Sequence, residues 1–217
     1  QVQADPVHPH GGLVTVGTFP TVARHLLLEA IEELLAEHPN LRVNFRFTPA
    51  EAQLDALRTA RVDVLVFVGE VDTTRFEAYQ LGETRLVAVM APSLAPKDGV
   101  EISDLRNMRY LAWSGPSDPT FDAARRYTTR HNIRDDRTPE IPHIEALRAL
   151  ARRGVGFTIL PDYTTLRDVA DGRLVTVPLV GLEQSIPIRL LTRDRQTEGR
   201  ALRHVRKTFH SAIAELL

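Results

Sequence analysis

The sequence contains no cysteine, and that absence removes several chemistries at once. Disulfide staples, thiolate nucleophiles and zinc–thiolate sites are all excluded. A cysteine-free chain suits a reducing compartment, so a cytoplasmic location is expected. Aromatic residues are sparse, at 6% with a single tryptophan, Trp113. Net charge is nearly missing too. The 27 Lys and Arg against 28 Asp and Glu leave −1, so the chain as a whole carries no nucleic-acid footprint. No apolar run approaches the roughly 20 residues that span a bilayer, and no membrane partner is expected.

Catalytic motifs are also lacking. There is no Gly-x-Ser-x-Gly elbow, no phosphate-binding loop and no His-Glu-x-x-His among the eight histidines. Gly154-Val155-Gly156 lacks the remaining glycine of a dinucleotide fingerprint, and it closes a helix rather than opening one. His8-Pro9-His10 reads as linker rather than as a metal site. Ser114, Asp118 and His143 are the residue types of a hydrolytic triad, but sequence fixes none of the geometry a triad needs. No catalytic residue, metal or cofactor is expected.

What is present is ordinary globular material. Apolar residues make up 43% and charged residues 25% of 217, enough for one large domain or two small lobes. Residues 1–12 carry Pro6, Pro9, Gly11 and Gly12 without an apolar period and read as linker. A start at Gln1 rather than Met suggests an upstream domain. Leu13–Gly17 reads as a strand, followed by a helix opened by Thr18, Phe19 and Pro20 and running to about Glu37. Ala23, Leu26, Leu27, Ala30 and Leu34 form its core face, while Leu28, Ile31 and Leu35 widen that face beyond a normal stripe.

Leu41–Phe47 alternates as a strand, Ala50–Thr59 is a helix, and Val62–Val68 is continuous enough for a strand covered on both sides. Tyr79–Leu81 and Arg85–Ala91 read as further strands, and Ser103–Leu105 as a short turn. The β/α pattern then restarts. Tyr110–Trp113 is a strand, Pro119–His131 a helix capped by Ser117-Asp118, and His143–Arg153 a helix closed by Gly154. Arg148, Arg152 and Arg153 look like a solvated basic face on that last helix. Gly156–Leu160, a late strand at 186–192 and a terminal helix from Glu198 complete the chain. The expected fold is α/β, with two Rossmann-like lobes of periplasmic-binding-protein type and a ligand cleft between them. Lobe I is expected over 13–91, with 190–217 crossing back, and lobe II over 92–189.

Several stretches together resemble the effector-binding domain of LysR-type transcriptional regulators. Leu13–Gly17 and the helix ending at His38-Pro39-Asn40-Leu41-Arg42-Val43 are similar to that family's first strand and helix. Leu54 to Leu65 is similar to its "L..L..G.lDlai" stretch, with Ala60 where glycine is usual. Arg85–Pro92 followed by Ile102-Ser103-Asp104-Leu105 resembles "lvlv.p…l.dL". Ile144–Leu147 through Gly154–Pro161 resembles "lE…lVaaGlGiaiLP", with Ala151, Arg152 and Arg153 in place of the usual valine and small residues. The resemblance covers nearly the whole chain. It implies a small-molecule effector, a homodimer or tetramer, and DNA contact only through an N-terminal winged helix-turn-helix not included in this chain. It also implies pairing through the first helix, where Leu28, Ile31 and Leu35 would form a dimer interface if they are not deep core.

Candidate ligand contacts follow from strand ends and helix starts, where unpaired N–H groups attract anions. Thr18, Phe19 and Pro20 open the first helix, and Thr18 would donate to a carboxylate or cap the helix. Thr48 and Pro49 follow the second strand, and Glu70 follows the third as a solvated loop charge. Trp113 would either stack on an aromatic metabolite or fill the core, with Ser114 beside it. His143 begins a helix, either as an acid-binding group or as a cap. Thr158 and Pro161 are further candidates. Two other readings share the two-lobed plan: a transporter's solute-binding protein, which requires a signal peptide upstream, and a small enzyme, which requires convergent titratable groups.

Overall fold

The computed structural model describes residues 12–96, 101–115, 119–136, 138–182, 184–193 and 199–217. Residues 1–11 of the expected linker, with the His8-Pro9-His10 run, and the Ser117-Asp118 cap lie outside the described residues, whereas Gly12, expected as linker, begins the first strand. The chain divides into two compact units. One holds the described residues up to Glu83 with Pro187–Leu217, and the other holds Thr84–Ile186.

The first unit is built on a five-stranded sheet. Its strands are β1 (Gly12–Thr18), β2 (Leu41–Phe47), β3 (Val64–Val68), β4 (Phe76–Thr84) and β10 (Ile186–Arg193), in the order β2-β1-β3-β10-β4. β1 pairs in parallel with both β2 and β3, and β10 returns antiparallel to β3. Every residue of Val64–Val68 is buried, as its unbroken apolar run requires. Asp63 fixes the register at the start of β3. Its carboxylate accepts the Thr15 N–H at 2.8 Å while its own N–H donates to the Thr15 carbonyl at 2.8 Å.

The predicted first helix is three segments. α1 (Pro20–Val22) leads into a π-helical turn at Ala23–Leu27, and α2 (Leu28–Glu37) completes it. Leu26, Leu27, Ala30 and Leu34 face the core. Leu28 and Leu35 do not: they are 57% and 41% exposed, and Ile31 is half-buried. The wide apolar arc is therefore partly surface. α3 (Ala50–Arg58) buries Ala56 and Leu57 against Val62, Leu65, Phe67 and Leu191. Each such leucine contributes about 1.5–3 kcal/mol by leaving water. The chain leaves α3 through Ala60 at φ +57°, a left-handed conformation that costs a residue with a Cβ. α8 (Arg200–Leu216) packs on α2 and buries Leu202, Val205, Phe209 and Ile213. Ala212 and Leu216 are half-buried.

In the second unit, β5 (Leu86–Met90) lies between β8 (Thr158–Pro161) and β9 (Val175–Pro178), antiparallel to both. The expected lobe I ran to residue 91, but β5 belongs here, because both its ladder partners do. The parallel pairing lies elsewhere in the unit. β6 (Ala112–Trp113) pairs in parallel with β7 (Glu140–Ile141), and Tyr110 bridges Phe157. Alternation along β5 divides the core in two. Leu86, Ala88 and Met90 join Tyr127, Phe157 and Ile159, whereas Val87 and Val89 join Phe121, Leu147 and Leu160.

Among the described residues the unit's α-helices are α4 (Ile102–Asn107), α5 (Pro119–Arg130), α6 (Ile144–Arg152) and α7 (Leu166–Ala170). α4 replaces the expected turn and is opened by a capping box between Glu101 and Asp104. Gly154 follows α6 at φ +70°. Gly156 lies so close to the Arg109 carbonyl that a Cβ there would sit 2.2 Å from its oxygen, which accounts for the glycine. β7, α7 and β9 were not anticipated; they are two to five residues long, too short for a periodicity to show.

Candidate functional site

In the first unit, the sheet gathers the predicted residues at one end. Thr18 ends β1 opposite Phe47 of β2, so Thr48 and Pro49 follow directly beside it. Thr18 itself is 0% exposed, and its Oγ1 donates to the Val66 carbonyl at 2.9 Å. Its hydroxyl proton is thus neither a helix cap nor a donor for a ligand. It ties the ends of β1 and β3 together, and only an oxygen lone pair is left over. Phe19 occupies the N-cap without a side-chain bond, and its ring packs 5.5 Å from that of Phe67. Pro20 stands at the helix start and is exposed.

Thr48 is half-buried, and its carbonyl accepts Gln53 Nε2 at 2.9 Å. Gln53 is buried in α3, and its Oε1 has no partner among the described residues. Sequence reading missed it, because a lone glutamine on a helix gives no period. Glu70 is exposed and pairs with Arg189 at 2.9 Å, as a solvated loop charge should.

In the second unit, Trp113, Ser114 and His143 collect at the end of β6 and β7. Trp113 pairs with Ile141 in the ladder, Ser114 N–H donates to the Ile141 carbonyl at 3.2 Å, and His143 follows two residues on. The half-buried indole stacks on Phe121, with centroids 4.3 Å apart and planes at 17°. A Cβ on Gly115 would lie 2.2 Å from the indole Cζ2, so the chain folds back directly over its own tryptophan. Trp113 is therefore at once wall and packing. His143 is exposed at the N-cap of α6 and makes no side-chain cap bond. Thr158 and Pro161 lie apart from these, buried in the ladder opposite Val89 and Leu86. Thr158 Oγ1 has no partner among the described residues.

A small open cavity of 280 Å³ adjoins Trp113 and Ser114. Its walls include Phe121, Asp122, Arg125, Arg134 and Glu140. Arg125 donates to Asp122 at 2.8 Å, and Arg134 pairs with Glu140.

Residues 8–214 match the model of the LysR substrate binding domain family. The chain belongs to that family. It is 24% identical over 188 residues to the transcriptional regulator BenM of Acinetobacter baylyi, covering 84% of this chain and 61% of BenM. It is 23% identical over 177 residues to the regulator CrgA of Neisseria meningitidis, covering 80% of this chain and 57% of CrgA. The chain thus spans about three fifths of these relatives. Among solved structures, the BenM effector binding domain with its effector benzoate superposes with a TM-score of 0.71 at 21% identity, covering 94% and 92% of the two chains. The CrgA regulatory domain gives 0.70 at 18% identity, covering 95% and 100%. The two-unit α/β fold is therefore that of LysR regulatory domains.

One feature of this LysR substrate binding domain corrects the sequence reading. Arg148 is no solvated base: it is only 8% exposed and reaches the fully buried Asp168. Its Nη2 lies 2.7 Å and its Nε 3.1 Å from Asp168 Oδ2, while Arg152 and Arg173 reach Oδ1 at 3.2 and 3.0 Å. Burial alone would raise the Asp168 pKa. The Arg148 hydrogen bonds, its charge and that of Arg152 outweigh burial and hold the carboxyl below its usual 3.8. The signal was readable: Ile144, Leu147 and Ala151 define an inward arc, and Arg148 fills its i+4 position. Among the described residues, no cluster of three or more His, Asp or Glu could hold a metal, and no helix is long and apolar enough to cross a membrane.

Proposed function

We propose that this chain is the small-molecule-sensing part of a DNA-binding transcriptional regulator. The family match over residues 8–214 carries this reading. The relatives are transcriptional regulators, and the chain matches 61% of BenM and 57% of CrgA. DNA contact then belongs to a winged helix-turn-helix outside these residues, in keeping with a net charge of −1. The role is binding rather than catalysis, and its setting is the cytoplasm.

The effector is a small carboxylate or aromatic metabolite; BenM's own effector, benzoate, is both. Its contacts in the first unit are Phe19, Pro20, Thr48 and Pro49, with Thr18 as a positioning residue beneath them. In the second unit they are Trp113, Ser114 and His143, with Thr158 and Pro161 shaping the sheet behind. The partner is a second copy of the chain, in a dimer or tetramer whose geometry on DNA the effector changes. Leu28, Ile31 and Leu35 form its contact stripe, which the exposure of Leu28 and Leu35 supports.

The test uses the full-length protein with labelled promoter DNA. Ligands that raise the melting temperature of this domain are added, and DNA affinity and stoichiometry are measured. An effector shifts affinity by about 5–150-fold, the usual range of allosteric coupling. If every stabilising ligand leaves DNA affinity and stoichiometry unchanged, the regulatory reading fails.

A further inference from the structure

The cavity beside Trp113 has a charge pattern of its own. Two arginines and two carboxylates stand in its lining, Arg125 with Asp122 and Arg134 with Glu140. Among the described residues, their formal charges cancel. The other described residues of the wall are the Trp113–Phe121 stack with Ser114 and Gly115, and the volume of 280 Å³ suits a molecule of amino-acid size. All of these residues belong to the second unit.

A simple anion fits this lining poorly. Its carboxylate would gain a guanidinium but would face Asp122 and Glu140 without compensation. A simple amine meets the converse problem. Like-charge contacts and unpaired charges are what exclude a wrong ligand. A zwitterion avoids both, because its carboxylate takes the Arg134 guanidinium while its ammonium takes the released Glu140 carboxylate. One ion pair becomes two, and no net charge enters the site. An apolar or aromatic side chain then lies against the Trp113–Phe121 wall.

We infer that the cavity lined by Trp113, Phe121, Asp122, Arg125, Arg134 and Glu140 binds a zwitterionic α-amino acid with an apolar or aromatic side chain. This rests on the effector-sensing reading above and narrows its ligand class.

Trp113 is the sole tryptophan, so its fluorescence reports this cavity directly. The domain is titrated with leucine, methionine, phenylalanine and tyrosine. For each, the matching amine without the carboxylate and the matching acid without the ammonium are run in parallel. At least one amino acid should change Trp113 emission saturably, with its amine and acid each bound at least about tenfold more weakly. Arg134→Gln and Glu140→Gln should each weaken that amino acid by about tenfold or more, the usual scale for a lost charge-assisted hydrogen bond. Unchanged circular dichroism and melting temperature show that both variants still fold. The inference is overturned if the acid binds as tightly as the amino acid, if both variants keep full affinity, or if no amino acid alters Trp113 emission. If no amino acid alters Trp113 emission while another stabilising ligand shifts DNA affinity, this inference fails and the effector-sensing reading stands. If amino acids bind here as described yet every stabilising ligand, these included, leaves DNA affinity and stoichiometry unchanged, the regulatory reading fails and this site survives.

Discussion

Nη2 of Arg148 lies 2.7 Å from Oδ2 of Asp168, and both residues are buried. The bond ties α6 to α7 across 20 residues of sequence. Removing one partner of such a pair leaves an uncompensated charge, at a cost of about 3–5 kcal/mol. Arg152 and Arg173 are partly exposed and still reach Asp168, so the lower end applies. Asp168→Asn should lose about 3 kcal/mol, or roughly 6–12 °C of melting temperature for a chain this size. The double variant Arg148→Met/Asp168→Leu should recover most of that loss, because it removes both charges. A melting temperature for Asp168→Asn equal to that of the parent would show that the pair contributes nothing.

The same carboxylate makes stability depend on pH. Burial pushes its pKa up, but the Arg148 hydrogen bonds and charge, with Arg152, hold it below the usual 3.8 in the folded state. The unfolded state therefore binds the proton more readily, and stability rises with pH wherever the two states differ. The contribution is fully present above the unfolded value and is lost as pH falls through the folded one. Melting curves of the parent and Asp168→Asn should differ by a constant amount from about pH 5 to 7 and converge below the 3.8 range. A gap that stayed the same down to the lowest pH tolerated would contradict this assignment.

Ala60 holds φ +57° just past α3. An L-residue with a Cβ is strained there, whereas glycine is not. Ala60→Gly should therefore stabilise the domain, by about 0.5–1 kcal/mol after the entropy that glycine adds to the unfolded chain is subtracted. Chemical denaturation should show a higher midpoint with an unchanged slope. A lower midpoint would mean that this turn relaxes out of the left-handed region in solution.

Much of the fold was legible because burial imposes simple patterns. Val64–Val68 and Leu86–Met90 are buried throughout, and both read as unbroken apolar runs. Leu202, Val205, Phe209 and Ile213 betray the inward face of α8 by their spacing. What escaped was set by tertiary context. The antiparallel pairing of β5 with β8 and β9 depends on partners about 70 to 90 residues away, which no local period encodes. The site was legible only as sheet ends. Sequence placed Trp113 correctly at a strand terminus, but it set Thr18 at the helix start rather than in β1 and did not show the Val66 carbonyl that occupies its hydroxyl. Nor did it reveal that Phe121 and Gly115 flank the indole.

Gly115 offers a check on that last arrangement. A Cβ there would overlap the Trp113 ring at 2.2 Å, closer than any relaxed contact. The indole, which is stacked on Phe121, would have to move toward solvent. Gly115→Ala should red-shift Trp113 emission and lower stability by about 1–3 kcal/mol, the range for overpacking. Identical emission from the two proteins would show that the loop, not the ring, yields.

Leu28 and Leu35 present the sharpest test of assembly. They are 57% and 41% exposed on α2, with half-buried Ile31 between them. Glu29, Glu32 and Glu33 are exposed on the same helix, so the apolar stripe has acidic neighbours. A surface substitution on a helix normally changes stability by no more than about 0.5 kcal/mol. Leu28→Glu with Leu35→Glu should therefore leave the melting temperature of the monomer almost unchanged. If the stripe is the contact between copies, the same change buries charges in an apolar interface and should weaken association by at least about 100-fold, since truncation of central interface residues often costs 2 kcal/mol or more each. Sedimentation velocity over a concentration series separates the two effects. A variant that dimerises with the parent's affinity would show that these leucines are ordinary exposed surface and that copies meet elsewhere.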